Sequence, residues 1–115
     1  MISKPLMEKL LAFRTERDWE QFHNLRTLST SIALEAAELA EFTQWARDAE
    51  IADITRQRQA EITQEVADIA ILLSYLIHDL DIDLEKAVGD KLEFNGQRYP
   101  VEKAKGTAKK YDRLD

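Results

Sequence analysis

The sequence predicts an all-α fold, with a four-helix bundle protomer that assembles into an oligomer. Only three glycines and two prolines interrupt its 115 residues, so few positions favour turns. Residues of high helix propensity, such as Ala, Leu, Glu and Lys, are abundant. Apolar residues recur at intervals of three and four, which is the spacing of one helix face. The length fits a single domain spanning residues 1–115.

A first helix is expected near the start of the sequence. Ser3 can cap its first turn, and Pro5 suits the opening turn because the N–H that proline lacks would have no helical partner there. Leu6, Leu10 and Phe13 follow at helical spacing. The polar and aromatic residues 15–26 predict a turn and an irregular approach to the second helix.

Two long helices form the centre of the predicted bundle. The second is expected from about Thr27 to Ala49 and the third from about Ile54 to Leu80. The third helix is apolar on more than one side. Because so small a domain has little other surface to cover it, we expect a homodimer or a homotetramer. The main apolar stripe of the third helix consists of Ile62, Val66, Ile69, Leu73 and Leu76.

A fourth helix is expected after Asp81 or Asp83, either of which can serve as its N-cap. It should end near Asn95 and Gly96, because glycine commonly follows the end of a helix. The remaining residues are basic. They predict one short helical piece and then a flexible tail over about residues 106–115.

Charge and cysteine content exclude several classes of function. The formal net charge is −6, which disfavours non-specific binding to nucleic acid or to an anionic membrane. No apolar run approaches the roughly 20 residues that a membrane span needs. The absence of cysteine excludes disulfides and thiolate chemistry. We expect a cytoplasmic protein without membrane or nucleic-acid partners.

Paired acidic residues are the strongest functional signal. Glu35 and Glu38 lie three residues apart in a run of Ala and Leu, and Glu65 and Asp68 have the same spacing in the third helix. Each pair therefore lies on one helix face. Glu61, one turn before Glu65, belongs either to this stripe or to the exposed surface. If the two helices pack antiparallel, four or five carboxylates converge.

Such a cluster needs compensation, because like charges repel strongly in a medium of low dielectric constant. Neither acidic stripe carries a basic residue. Carboxylate oxygens without His or Cys suit hard cations such as Mg²⁺, Mn²⁺ or Ca²⁺. The alternative is that these side chains simply face solvent. The apolar surroundings of both pairs favour the metal.

A carboxylate-held Mg²⁺ usually keeps positions open for substrate phosphates. Hydrolysis of a phosphoanhydride is therefore the reaction that the acidic pairs favour. Flat side chains could hold a base by stacking, and further polar residues cluster at the end of the fourth helix. An isolated Trp is more often a core or interface residue. The candidates are Trp19, His23 and Trp45 for the base, with Lys91, Asn95 and Tyr99 at the helix end.

Several segments together resemble one family. They are the "EAAE" of residues 35–38, the "EVAD" of residues 65–68, "RDWEQFH" at 17–23, "QW" at 44–45, "DIDLEKAVGDKLEFNGQRYP" at 81–100 and "KAKGTAKKY" at 103–111. In these segments the chain resembles the MazG-like, all-α nucleoside triphosphate pyrophosphohydrolases, which include the dCTP pyrophosphatases. The resemblance spans nearly the whole chain from about Phe13.

The resemblance implies hydrolysis of a nucleoside triphosphate between its α- and β-phosphates, giving a monophosphate and pyrophosphate. Deoxynucleotides, with dCTP among them, are the implied substrates, and house-cleaning of nucleotide pools is the implied role. It also implies subunits paired as dimers or tetramers, with sites near their interfaces. The implied site residues are Glu35, Glu38, Glu65 and Asp68 for Mg²⁺, Trp19, His23 and Trp45 for the base, and Lys91, Asn95 and Tyr99 for phosphates or sugar.

One position departs from the family pattern. Members often carry a second acidic residue just before Glu65, and this chain has Gln64 there. Either Glu61, one turn earlier, orients the attacking water, or no side chain takes that role.

A second function class remains open. The apolar third helix and the basic tail would also suit a non-catalytic helical module that regulates or binds a partner. A third hypothesis is a related phosphohydrolase that cleaves a different phosphoanhydride. Metal binding separates the module from the enzymes, and the identity of the released product separates the two enzymes.

Overall fold

The computed structural model describes all 115 residues and is helical throughout, without a strand. The predicted all-α class is therefore confirmed. None of the helices combines the length and the apolar content needed to cross a membrane. The elements are α1 (Lys4–Glu16), α2 (Leu25–Glu41), α3 (Asp48–Gln57), α4 (Gln59–Asp79), α5 (Leu84–Arg98) and α6 (Val101–Ala104), with 3-10 turns at Glu20–Phe22 and Tyr111–Arg113.

Two helices begin at the caps that the sequence predicts. The hydroxyl of Ser3 accepts a hydrogen bond from the backbone N–H of Leu6 at 3.3 Å, and proline stands in the first turn of α1. The Asp83 carboxylate accepts from the N–H of Lys86 at 3.0 Å. Asp83 rather than Asp81 is thus the N-cap of α5, and both caps satisfy N–H groups that have no partner within the helix.

The start of α2 uses a capping box that the sequence analysis did not identify. The Asn24 side chain accepts from the N–H of Thr27 at 3.0 Å, and the Thr27 hydroxyl accepts from the N–H of Asn24 at 2.9 Å. This reciprocal pair fixes the first turn, so α2 begins at Leu25, two residues before the predicted start.

The predicted boundaries between the second and third helices were wrong. The α2 helix ends at Glu41, and a separate helix, α3, covers Asp48–Gln57. Acidic residues in the first turn of α3 favour a new N-terminus, because they complement the positive end of the helix dipole. The guanidinium of Arg47, at the N-cap, also binds Glu50 at 2.6 Å. The α4 helix then begins at Gln59, five residues after the predicted start.

The fourth predicted helix also ends later than expected. The α5 helix continues through Gly96 to Arg98. Its end is set by Pro100, because a residue before proline is disfavoured in the helical region, and Tyr99 accordingly has φ −124° and ψ 67°. The short helix α6 follows at Val101–Ala104, as expected. The flexibility of residues 106–115 stays a prediction.

Contacts divide the chain into two compact units, Met1–Asp81 and Ile82–Asp115. In the first unit, α2 and α4 form the main packed pair, and α1 and α3 pack against α4. In the second unit, the Arg98 guanidinium lies 3.2 Å from the centre of the Tyr111 ring, and the Tyr99 and Tyr111 rings are 6.3 Å apart. These contacts hold the last 3-10 turn against the end of α5.

The core of the isolated chain is small. Leu28 and Tyr75, with 1% and 4% of their surface exposed, are its only buried hydrophobic residues. Large apolar residues on the two central helices remain exposed, including Leu34 at 62% and Val66 at 51%. Exposed apolar surface at this scale is typical of a protein that buries it against another chain.

Asp81 follows α4 with φ +52°, a left-handed conformation that costs a non-glycine residue roughly 1–2 kcal/mol. We expect Asp81→Gly to raise the free energy of unfolding by up to about 1 kcal/mol, since glycine's greater freedom in the unfolded chain offsets part of the relief. Urea denaturation measures this change. Asp83→Ala, which removes a cap, should instead destabilise by about 1 kcal/mol. Equal destabilisation by both variants would contradict the assignment of strain to Asp81.

Candidate metal centre and adjoining cavities

Three carboxylates converge where α2 and α4 pack. One oxygen from each of Glu35, Glu38 and Glu65 lies within 4.8 Å of the other two. Glu35 and Glu65 are half-buried and Glu38 is exposed. We call these three residues the carboxylate cluster. It arises because residues three apart on α2 share one face, and that face packs on α4.

Two buried oxygens of the carboxylate cluster receive no hydrogen bond from the protein. Glu35 Oε2 and Glu65 Oε2 are buried and have no hydrogen-bond partner. The hydrogen bond that a protonated Glu65 can donate to Glu35, burial, and the negative charges of Glu38 and Glu35 together raise the pKa of Glu65 to about 7. Unpaired buried carboxylate oxygens are costly, and a donor set made only of carboxylates suits a hard divalent cation. The residues present therefore fit such an ion.

Asp68 lies beside the cluster and is not part of it. Its side chain is exposed, one turn along α4 from Glu65, and it lines a cavity together with Glu35. The structure thus brings three of the four predicted metal ligands within reach of one another and places the fourth at the edge.

The cavity beside Asp68 is mostly aromatic and apolar, and we call it the aromatic cavity. Its volume is about 450 Å³, within the range of small-molecule sites. Two predicted base-binding residues, Trp19 and His23, line it, and Glu35 links it to the carboxylate cluster. The lining residues are Lys9, Leu10, Phe13, Trp19, His23, Glu35, Asp68, Ile71, Leu72 and Tyr75.

One wall of the aromatic cavity contains an edge-to-face pair. The Phe13 and Trp19 rings are 5.7 Å apart at an interplanar angle of 73°, an arrangement that aromatic rings favour. The Arg17 guanidinium lies 3.6 Å from the centre of the Phe13 ring. The pair fixes the orientation of Trp19. Phe13 shares its helix face with Leu10, as their spacing in the sequence predicts.

A second cavity, of about 460 Å³, lies on the other side of the carboxylate cluster. It is lined by Glu38, Glu41, Phe42, Arg58, Glu61 and Glu65, and we call it the acidic cavity. Glu35 and Asp68 border one cavity while Glu38, Glu61 and Glu65 border the other. Residue numbers therefore rise along α2 as they fall along α4, so the two helices are antiparallel.

Glu61 has a partner in the acidic cavity. The Arg58 Nε donates to Glu61 Oε1 at 2.8 Å and its Nη2 to Oε2 at 2.5 Å. These hydrogen bonds lower the pKa of Glu61. The Arg58 guanidinium also lies 4.9 Å from the centre of the Phe42 ring. The expectation that no basic residue meets the acidic stripe was therefore wrong, and the spacing of three residues between Arg58 and Glu61 was the available signal.

A partly buried ionic network joins His23 to Arg14 and Asp79, and all three residues border a separate polar cavity. Arg14 is 4% exposed and binds both oxygens of Asp79, with Nη1 to Oδ2 at 2.9 Å and Nη2 to Oδ1 at 2.6 Å. The same Nη1 lies 3.2 Å from His23 Nδ1. Burial and the positive charge of Arg14 lower the pKa of His23. The sequence alone does not predict this network, because its helices meet only in the folded chain.

The remaining predicted substrate residues lie outside both cavities. Trp45 is 89% exposed on the turn between α2 and α3. Lys91, Asn95 and Tyr99 belong to the second unit, the first two on α5 and the third at its C-cap. The ammonium of Lys91 lies 4.8 Å from the centre of the Phe94 ring.

The class of protein follows from the all-α fold, the antiparallel acidic helices α2 and α4, and the aromatic cavity beside them. The MazG-like family matches residues 30–114, and the chain belongs to this family, as its sequence motifs predict.

The chain is similar in sequence to proteins named dCTP pyrophosphatase 1. The chain is 42% identical to dCTP pyrophosphatase 1 of Rattus norvegicus over 104 residues, which are 89% of this chain and 61% of the rat protein. It is 38% identical to the Homo sapiens enzyme of the same name, with the same coverage. It thus spans about 61% of the length of these relatives.

A solved structure shows the same fold. A pyrophosphatase from Archaeoglobus fulgidus superposes with a TM-score of 0.81 at 36% identity, covering 84% of this chain and 91% of the archaeal one. The archaeal pyrophosphatase therefore shares the all-α fold of this chain.

Proposed function

We propose that the chain is a nucleoside triphosphate pyrophosphohydrolase that needs Mg²⁺, with Mn²⁺ as a possible substitute. It hydrolyses deoxynucleoside triphosphates, dCTP among them, to the monophosphate and pyrophosphate. The convergence of Glu35, Glu38 and Glu65 next to a cavity with aromatic walls carries this proposal. The names of the relatives support the reaction class. Control of nucleotide pools in the cytoplasm is the role we propose.

The carboxylate cluster and Asp68 would hold the cation. A bound Mg²⁺ would bind phosphate oxygens, neutralise their charge and lower the pKa of a coordinated water. The helices α2 and α4 supply these ligands, so the packing of the two helices sets the spacing of the carboxylates. A bound ion would give a partner to the two buried oxygens that lack a hydrogen bond, Glu35 Oε2 and Glu65 Oε2.

The two cavities suggest how the substrate lies. Trp19 offers a ring face for stacking in the aromatic cavity. Since Glu35 borders this cavity and belongs to the carboxylate cluster, a base held there directs its phosphates towards the acidic residues. Asp68 lies at the same boundary.

Glu61 has a limited role in this proposal. Its ion pair with Arg58 lowers its pKa, which makes the carboxylate a weak proton acceptor near neutral pH. It can still orient a water in the acidic cavity through a hydrogen bond.

Apolar surface beside the acidic residues is available for contact with a second copy of the chain. Leu34 and Val66 are more than half exposed on the two helices that carry the acidic residues, so an interface there would support the site. We propose a homodimer or a homotetramer, with the exposed Trp45 at a contact between subunits near the base. On the family resemblance alone, we propose that the phosphates or the sugar contact Lys91, Asn95 and Tyr99.

A product-resolved panel tests the function. The purified protein is incubated with Mg²⁺ and each of the common ribo- and deoxynucleoside triphosphates, and products are separated by anion exchange. We expect monophosphate and pyrophosphate in equal amounts, fastest from a deoxynucleotide. Release of inorganic phosphate would favour a different phosphohydrolase. An intact panel, together with no metal binding by calorimetry, would favour the non-catalytic module.

Replacement of Trp19 tests the aromatic cavity. Stacking on an aromatic ring is worth about 1–3 kcal/mol per base, so Trp19→Ala should raise KM for the preferred nucleotide roughly tenfold to a hundredfold. Phe22→Ala is the matched control, because Phe22 is an exposed aromatic residue nearby that lines neither cavity. Equal KM values for the two variants would remove Trp19 from the base site.

A further inference from the structure

The ionic network of Arg14, Asp79 and His23 suggests a role beyond stability. Arginine is seldom this deeply buried in a protein, and burying its charge is costly unless the charge is paired. Asp79 supplies that pairing through two hydrogen bonds. This arrangement links α1 to the last residue of α4 and leaves one N–H of Nη1 directed at His23.

The contact with Arg14 determines the protonation of the imidazole. A guanidinium can only donate hydrogen bonds, so His23 Nδ1, which lies 3.2 Å from Arg14 Nη1, must accept. The ring is then neutral and carries its proton on Nε2. No group of the chain hydrogen-bonds to Nε2. The nearby Tyr75, whose ring lies 5.3 Å away, uses its hydroxyl to donate to the Leu10 carbonyl at 2.7 Å.

We propose that Arg14 is a positioning residue that, together with Asp79, holds His23 as the Nε2–H tautomer, so that His23 donates a hydrogen bond to an acceptor on the nucleobase. This rests on the proposed function, because it places the base in the aromatic cavity that His23 lines. A carbonyl oxygen or an unprotonated ring nitrogen meets the requirement. The lowered pKa of His23, caused by burial and by Arg14, keeps the ring neutral at physiological pH.

The tautomer can be measured without any enzymatic activity. The chain has two histidines, so a long-range ¹H–¹⁵N spectrum of labelled protein shows two imidazoles, and His78→Gln assigns them. We expect His23 to show a protonated Nε2 and an unprotonated Nδ1 at pH 7.5. A protonated Nδ1 in the nucleotide-free protein would overturn the proposal, whatever the protein hydrolyses.

Nucleotide binding tests the second half of the proposal in the unaltered protein. Each of dCMP, dTMP, dAMP and dGMP is added with Mg²⁺ while the same spectrum is followed. We expect the His23 Nε2 resonance to shift with at least one of them, and by more than the Nδ1 resonance. Binding of a nucleotide, detected by calorimetry, without a shift at Nε2 would overturn the assignment of His23 as a donor to the base.

Variants separate positioning from a purely structural role. Arg14→Met combined with Asp79→Leu removes both charges of this partly buried pair, and apolar replacement of both partners of an ion pair is often tolerated. We expect KM to rise about fivefold to tenfold, as for loss of one hydrogen bond, with kcat within twofold. Arg14→Lys keeps a hydrogen-bond donor, so its KM should rise less than that of the double variant. Arg26→Met is the control for removal of a guanidinium from an exposed position outside the network.

The kinetic outcome decides between the two roles. Arg14 does not act on the substrate through His23 if the double variant folds and keeps the original KM while its spectrum shows a protonated Nδ1. If the protein hydrolyses no nucleotide at all, the proposed function fails, and the spectrum of the unaltered protein still determines whether Arg14 fixes the tautomer.

Discussion

Replacement of Glu38 by glutamine should reduce Mg²⁺-dependent pyrophosphate release by about a thousandfold, the scale of losing one electrostatic stabiliser of a transition state. Glutamine keeps the size of the side chain and removes the charge that the cation needs. Since Glu38 is exposed on α2, the substitution should leave the helical content unchanged. Steady-state kinetics and circular dichroism measure both effects.

Glu8→Gln is the matched control for this experiment. Glu8 is exposed on α1, lines neither cavity and makes no ion pair, so its replacement should leave turnover unchanged. Normal turnover in the Glu38 variant would remove Glu38 from the site. Lost helicity would mean that the variant reports on folding, and Glu35→Gln would then take its place.

The pH dependence of stability is the second large effect that we expect. In the metal-free protein the pKa of Glu65 rises from 4.5 to about 7, so between these values the folded state binds more protons than the unfolded state. The contribution of Glu65 to stability must therefore fall as pH rises through this window, whereas His23, whose pKa is lowered, contributes in the opposite direction. Urea denaturation between pH 5 and 8, in the presence of a chelator, measures the slope. Glu65→Gln should flatten it, because the amide cannot titrate.

The same proton competes with the metal. Cation binding requires the ionised carboxylate, so affinity should increase by about tenfold per pH unit below pH 7 and level off above it. Calorimetry with Mn²⁺ at several pH values tests this. Affinity that does not vary between pH 5.5 and 7 would contradict the coupling of Glu65 to its neighbours.

The helical class and the acidic face could both be predicted, because each depends on local spacing. Glu35 and Glu38 must share a face of any helix that contains both. Their meeting with Glu65 required only that the two helices pack antiparallel, as they do. Asp68 shows the limit of this reasoning, since spacing predicts its face but not the distance of its side chain from the cluster.

Features that depend on tertiary structure could not be predicted in this way. Arg14 and Asp79 are 65 residues apart, and no periodic pattern links them. The turn after Glu41 was also missed, because residues 42–49 contain neither glycine nor proline. The chain leaves the helix there without the usual signals, and only the acidic first turn of α3 indicates a new start.

The most direct test of the central proposal is a crystal structure with Mg²⁺ and an α,β-imido analogue of the nucleotide that turns over fastest. We expect electron density for a divalent cation bound by Glu35, Glu38 and Glu65, with Asp68 completing the ligands and the base against Trp19. A bound analogue whose phosphates and cation lie away from these four carboxylates would contradict the account.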